Sequence, residues 1–220
     1  MKNLIVLNLK VYGESLGRRG LELSRIAEAV GKGTGARIIV VPQTVDLADV
    51  VKSVSIPVFA QHVDPNDQGA FTGTTTAEAV KEVGCKGTLI NHSEKRLRVE
   101  EIGRIVEKCR RLNLDSLVCA ATTEESRALA SLRPDYIAVE PPELIGSGIS
   151  VSSAKPEIVR NTVLRVKEVA DIPVLCGAGI SNGKDVKKAV ELGASGVLLA
   201  SAYVKAKDPK TLLMEMAENI

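Results

Sequence analysis

Apolar residues recur along this chain in two alternating patterns. Short runs rich in β-branched residues occupy Leu4–Leu7, Ile38–Val41, Val58–Ala60, Thr88–Ile90, Leu117–Ala120, Tyr136–Val139, Val174–Cys176 and Val197–Leu199. Such a run predicts a strand covered on both faces, as in a parallel sheet. Between the runs, apolar residues are spaced by three and four: Leu23, Ile26, Ala27 and Val30; Val99, Ile102, Ile105, Val106, Cys109 and Leu112; Val159, Val163, Val166 and Ala170; Val186, Ala189 and Val190. That spacing is helical. Eight strand signals, mostly separated by helix signals, predict parallel β-α units. An open doubly wound sheet would alternate in the same way. About eight repeats in 220 residues, with no G-x-G-x-x-G after the first run, favour a closed α/β architecture, the (β/α)8 barrel. No Pro/Gly/Ser-rich linker, charge block or low-complexity tract divides the chain, so residues 1–220 are expected to form one domain.

Composition narrows the picture by exclusion. Lys plus Arg (29) nearly balance Asp plus Glu (27), and a net charge of +2 gives no electrostatic reason to expect nucleic acid or an anionic membrane. No window approaches the ~18 apolar residues of a membrane span, and the first run is too short for a signal peptide, so a cytoplasmic protein is expected. Cys85, Cys109, Cys119 and Cys176 lie far apart with no C-x-x-C pair. Buried free thiols fit them better than a disulfide framework or a zinc site.

In a (β/α)8 barrel the chemistry sits where strands end, so the residues after each run matter most. The first run leads into Asn8-Leu-Lys10, the third into Gln61-His62-Val-Asp64, the fourth into Asn91-His92-Ser-Glu94, the sixth into Glu140, the seventh into Gly177-Ala-Gly179, the eighth into Ala200-Ser201. Glu140 reads either as a solvated strand-end acid or as a general base. Apolar strand residues before it and a closable loop behind it, Pro141 to Ile149 with Gly146 and Gly148, are the setting that raises a carboxyl's proton affinity. His92 reads as structural or as a neutral donor to a carbonyl: Ser93 is a candidate cap for a short helix starting at Glu94, whose N-terminus would disfavour imidazolium. His62 has no such setting and is expected to be structural. Lys10 is either surface charge or a cation for an anionic substrate and an oxyanion, with Glu94 as ion-pair partner. The small residues after the seventh and eighth runs make tight turns, and they also stand where barrels hold phosphate on backbone N–H groups.

Together these suggest one shielded base, one neutral electrophile, one cation and one phosphate cradle. Metal-ligand clusters, a serine or cysteine nucleophile beside a base, and a nicotinamide fingerprint are missing from the sequence, which leaves proton abstraction next to a carbonyl as the leading class.

The ordered set Asn8-x-Lys10, Gly69-Ala-Phe-Thr-Gly73, Asn91-His-Ser-Glu-Lys-Arg96 and Val139-Glu140-Pro-Pro resembles the triosephosphate isomerase family along essentially the whole chain. That family is itself the standard illustration of pKa tuning and lid closure in a TIM barrel. The resemblance implies interconversion of dihydroxyacetone phosphate and glyceraldehyde 3-phosphate in glycolysis and gluconeogenesis, without cofactor or metal. It implies that Glu140 moves the proton, His92 polarises the carbonyl, and Lys10 and Asn8 hold substrate. Backbone amides around Ile145, Gly146, Gly179, Ala200 and Ser201 would take the phosphate, and Cys119 would be the buried cysteine near the base. The loop around Phe71 resembles the family's subunit-interlocking loop and implies a homo-oligomer.

Gly177-Ala-Gly-Ile-Ser181, Ala200-Ser201 and several short helical segments depart from the common bacterial and eukaryotic pattern and resemble the compact archaeal branch, which favours a tetramer over a dimer. Another phosphate-binding barrel enzyme and a non-enzymatic phosphosugar-binding barrel are the alternatives.

Overall fold

The computed structural model describes residues 3–141, 152 and 155–220. Eight strands follow in chain order: β1 (Leu4–Asn8), β2 (Arg37–Val41), β3 (Phe59–Ala60), β4 (Gly87–Ile90), β5 (Asp115–Ala120), β6 (Tyr136–Val139), β7 (Val174–Cys176) and β8 (Gly196–Leu199). All recorded pairings are parallel and join sequence neighbours, and β1 also pairs with β8, Leu4 opposite Gly196 through Leu7 opposite Leu199. The ring closes between β2 and β3 through one parallel bridge, Val40 with Val58, where the Val40 N–H donates to Pro57 O at 3.1 Å. The result is the eight-stranded barrel that the alternation predicts.

Helices pack around the barrel: α1 (Arg18–Thr34), α2 (Leu47–Ser53), α3 (Ala77–Val83), α4 (Val99–Leu112), α5 (Thr123–Ala130), α6 (Pro156–Lys167), α7 (Gly183–Glu191), the single turn α8 (Ser201–Val204) and α9 (Pro209–Glu218). Their starts are written locally. Thr76, Thr122, Asn182 and Asp208 each accept, through the side chain, a backbone N–H of the first turn, an interaction worth about 1 kcal/mol at each end. Gly35, Gly84 and Asn113 end α1, α3 and α4 in the left-handed conformation.

Strand residues alternate between two apolar layers. Leu4, Val6, Ile39, Val41, Phe59, Leu89, Leu117, Cys119, Tyr136, Ala138, Leu175 and Leu198 fill the barrel interior. Their neighbours, including Ile5, Leu7, Ile38, Val40, Val118 and Val197, face the helices and meet Leu23, Ala27, Ile102 and Ile105. This period of two continues past the strand ends. Two residues beyond Val6, Phe59, Ala138, Leu175 and Leu198 come Asn8, Gln61, Glu140, Gly177 and Ala200, so the fold itself delivers these five to the mouth of the barrel. All four cysteines are buried and free. Among the described residues no helix is long and apolar enough to cross a membrane.

Candidate active site

A cavity of ≈ 250 Å³ opens at the C-terminal mouth of the barrel, lined by Asn8, Lys10, Tyr12, His92, Glu140, residues 177–181 and residues 198–202. Glu140, at the end of β6, is 3% exposed, and its Oε2 finds no hydrogen-bond partner among the described residues. Burial pushes this carboxyl up to about 7. The Cys119 thiol, which donates to it, is the largest opposing influence, followed by the Lys10 charge; Glu94 raises it slightly and the Ser93 N–H lowers it. The carboxylate is therefore held where it exchanges protons near neutrality.

Glu140 Oε1 stands 3.5 Å from His92 Nε2. On the other side of the ring, the backbone N–H of Glu94 donates to Nδ1 at 3.2 Å. That bond leaves Nδ1 a lone pair and fixes the ring proton on Nε2, the nitrogen facing the cavity. Burial and then the Lys10 charge bring the imidazole down to about 4, against a smaller upward pull from Glu94. The ring is neutral at physiological pH and presents one N–H to the site.

The reason for this neutrality differs from the sequence-based expectation. Residues 93–94 form a single turn closed by Lys95 N–H to His92 O at 2.8 Å, and the helix that follows starts only at Val99. Ser93 caps nothing, and its hydroxyl has no hydrogen-bond partner among the described residues. The helix is delayed because Asn91 folds the chain first. Its φ is +62°, its amide donates to Cys119 O at 2.9 Å, and its Oδ1 accepts the Leu97 N–H at 2.9 Å. A helix N-terminus is replaced by one aimed backbone N–H and by burial of the ring.

Lys10 is held at three points. Its backbone φ of +48° is uncommon for a side-chain-bearing residue. Its N–H donates to Asn8 Oδ1 at 3.0 Å, its carbonyl accepts from Gln61 Nε2 at 3.0 Å, and its ammonium donates to Glu94 Oε1 at 2.8 Å. Gly179 has a φ of +72°. Gly179, Ser201 and Ala202 line the cavity, and their backbone N–H groups donate to no described residue.

The family model for triosephosphate isomerase matches residues 3–219. The chain belongs to the triosephosphate isomerase family. A triosephosphate isomerase of Methanocaldococcus jannaschii is 55% identical over 218 residues, covering 99% of this chain and 100% of the relative. The triosephosphate isomerase of Methanothermus fervidus is 55% identical over 214 residues, 97% of this chain and 96% of the relative. That of Archaeoglobus fulgidus is 48% identical, with the same shares covered. These relatives are archaeal, in line with the compact branch that the sequence resembles.

Within this triosephosphate isomerase family barrel, Asn8, Lys10, His92, Glu140, Gly179, Ala200 and Ser201 line one cavity, with Glu94 and Cys119 touching its lining residues. Ile145 and Gly146 lie outside the described residues, as does the expected lid beyond Pro141. His62 stands apart: its Nε2 meets Asp64 Oδ1 at 3.0 Å, and burial lowers its pKa. Nothing in the sequence assigns a part to Gln61 or Tyr12, and Gly177 reads there only as a turn or phosphate loop. Gln61 secures the Lys10 carbonyl, Tyr12 lines the cavity, and Gly177 makes room for the carboxylate, since a Cβ there would fall 2.6 Å from Glu140 Cγ. The signal for Gln61 and Gly177 was the period of two carried past the strand.

Proposed function

We propose that the chain interconverts dihydroxyacetone phosphate and D-glyceraldehyde 3-phosphate through an enediolate. The observation that carries this is the buried Glu140 carboxylate facing the Nε2–H of a neutral imidazole. With a hydroxyketone seated in the cavity against both groups, the carboxylate takes a proton from the carbon beside the carbonyl, and that C–H bond's electrons form the C=C bond. The carbonyl's π electrons move onto oxygen, where the Nε2–H stabilises them and supplies a proton. The imidazole regains a proton from the neighbouring hydroxyl, and Glu140 returns its own to the adjacent carbon. Lys10 adds positive potential at the oxyanion, and the cavity-lining backbone N–H groups of Gly179 and Ser201, which donate to no described residue, suit a phosphate. A coupled assay with glyceraldehyde 3-phosphate tests the reading. A folded protein that converts neither triose phosphate would overturn it and leave a phosphosugar-binding barrel or another phosphate-binding barrel enzyme.

The pH profile follows from the two shifts. Glu140 must be deprotonated in the free enzyme, so kcat/KM, corrected for the substrate's own phosphate ionisation, falls tenfold per unit as pH drops below about 7. His92, held near 4, adds no limb between pH 5 and 9. The sign for stability is opposite. Between the ordinary 4.5 and about 7 the native state holds a proton that the unfolded chain has released, so this group's contribution declines as pH rises through that window. A corrected profile that stays flat from pH 5 to 8 contradicts the assignment.

Self-association is supported by the rim. Val11, Val45 and Phe71, in the loops after β1, β2 and β3, are 70%, 81% and 47% exposed. The Phe71 loop is clipped at its base: Asp64 N–H donates to Thr75 O at 2.8 Å and Thr75 N–H to Asp64 Oδ2 at 2.7 Å. Lys108 holds it from α4, at 2.5 Å from Asn66 O and 2.7 Å from Asp67 Oδ1. A pre-ordered loop offering an apolar tip fits a second copy of the chain, and the archaeal likeness favours a tetramer. Sedimentation at micromolar concentration is expected to show an oligomer that Phe71→Asp weakens. A wild-type protein sedimenting only as a monomer would refute this.

A further inference from the structure

Lys10 is the one Lys or Arg among the described residues that line the cavity. A triose phosphate brings a charge near −2, whereas the Lys10 ammonium is already shared with Glu94 at 2.8 Å. A second cation stands close by. Lys205, the residue after α8, places its Nζ 4.5 Å from the centroid of the Tyr12 ring. Tyr12 is one of the residues lining the cavity, and Lys205 forms no ion pair with a described residue.

Both partners are anchored. The Tyr12 carbonyl accepts the Ser15 N–H at 2.9 Å, and the Ser15 hydroxyl donates to Leu9 O at 2.6 Å, which fixes the loop leaving β1. Fully buried Tyr203 donates its hydroxyl to Leu23 O at 2.7 Å, pinning α8 to α1, and the Lys205 N–H closes onto Ser201 O at 2.9 Å. The Lys205 backbone thus closes the turn that begins at the cavity-lining Ser201, and its ammonium lies over the Tyr12 ring. An aromatic face holds an ammonium in place without neutralising it. An ion pair would cancel its field.

We propose that Tyr12 and Lys205 form a positively backed wall at the phosphate end of the cavity, with Tyr12 positioning Lys205 to strengthen binding of the substrate's phosphate group. The wall rests on the isomerase reading for its substrate, but not for its electrostatics. Glu14, Arg19 and Glu22 line the same groove as Lys205; Glu22 pairs with Arg18 at 3.1 Å and the Glu14 and Arg19 charges offset each other, so the Lys205 charge is left over and screens readily with salt.

The test is kinetic and thermodynamic on the full-length protein. Lys205→Met keeps the length and removes the charge. At ionic strength near 20 mM it raises KM for glyceraldehyde 3-phosphate and Ki for inorganic phosphate together, on the order of three- to tenfold, with kcat within twofold. At 300 mM salt the difference shrinks below twofold, because screening over a Debye length of several ångströms removes the field of a remote charge. Tyr12→Phe, which keeps the ring, leaves the salt-dependent component intact. Tyr12→Leu abolishes it, and adding Lys205→Met then changes that component no further. Unchanged KM and Ki in Lys205→Met at low salt overturn the wall. An equal loss at both salt concentrations also overturns it, since that marks a packing defect. Thermal shift with inorganic phosphate reads the same comparison without turnover. A wild type that binds phosphate but isomerises nothing therefore sinks the isomerase reading while still deciding the wall.

Discussion

Glu140→Asp lowers kcat by on the order of a hundredfold and leaves KM within about threefold of wild type. The substitution keeps the carboxylate and withdraws it by one methylene, roughly 1 Å, from the carbon that must give up its proton. Proton transfer is steep in distance, and among the described residues lining the cavity no other carboxylate can replace the missing reach. The Cys119 thiol is held protonated by burial, and the His92 ring is neutral with its proton facing the cavity. The proposed phosphate-binding residues, Gly179, Ala200 and Ser201, come from the ends of β7 and β8 and are left unchanged, so binding is expected to hold. Steady-state kinetics in both directions check the split. Turnover within threefold of wild type would remove Glu140 from the chemistry.

Gly177→Ala is expected to lower kcat by tenfold or more with little change in KM. Gly177 is not in the left-handed region, so backbone strain is not the cause. Its added Cβ would stand 2.6 Å from Glu140 Cγ and 3.0 Å from Val139 O. An ordinary contact needs about 0.8 Å more, and the carbonyl belongs to a strand hydrogen bond, Gly177 N–H to Val139 O at 2.9 Å. The side chain of Glu140 is the part free to yield. Moving it carries the carboxylate away from His92, the kind of displacement that costs rate more than binding. A merely structural role would lower Tm and leave kcat per folded molecule intact. Melting curves and active-site-normalised kinetics separate the two, and an unchanged kcat would show that Gly177 only fills a turn.

Much of this was legible in the sequence, for physical reasons that differ from residue to residue. A strand buried on both faces has to be apolar throughout, so eight apolar runs announced eight strands. Glu140 interrupts such a run at its end, and a strand that has faced the barrel interior through Tyr136 and Ala138 has to aim its next alternate residue into the mouth. Other features depend on contacts between distant segments. Gln61 acts on Lys10 across fifty-one positions, and the Tyr12–Lys205 pair joins opposite ends of the chain. Neither leaves a local pattern. Capping rules suggest a helix starting at Glu94, whereas Asn91's side chain accepts the Leu97 N–H around a single turn at residues 93–94 and the helix starts only at Val99. Gly177 looked like a turn residue. Only the packing shows that the space it leaves is occupied by Glu140.

The measurement that bears most directly on the proposed chemistry is a heteronuclear NMR pH titration of protein labelled with 13C at glutamate carboxyls and 15N in histidine rings. Glu140 should titrate near 7, well apart from ordinary glutamates, while His92 stays in its Nε2–H neutral form from pH 5 to 9. A Glu140 carboxyl that titrates below 5, or a His92 ring that takes a proton near 6.5, would contradict the pairing of a poised base with a neutral donor.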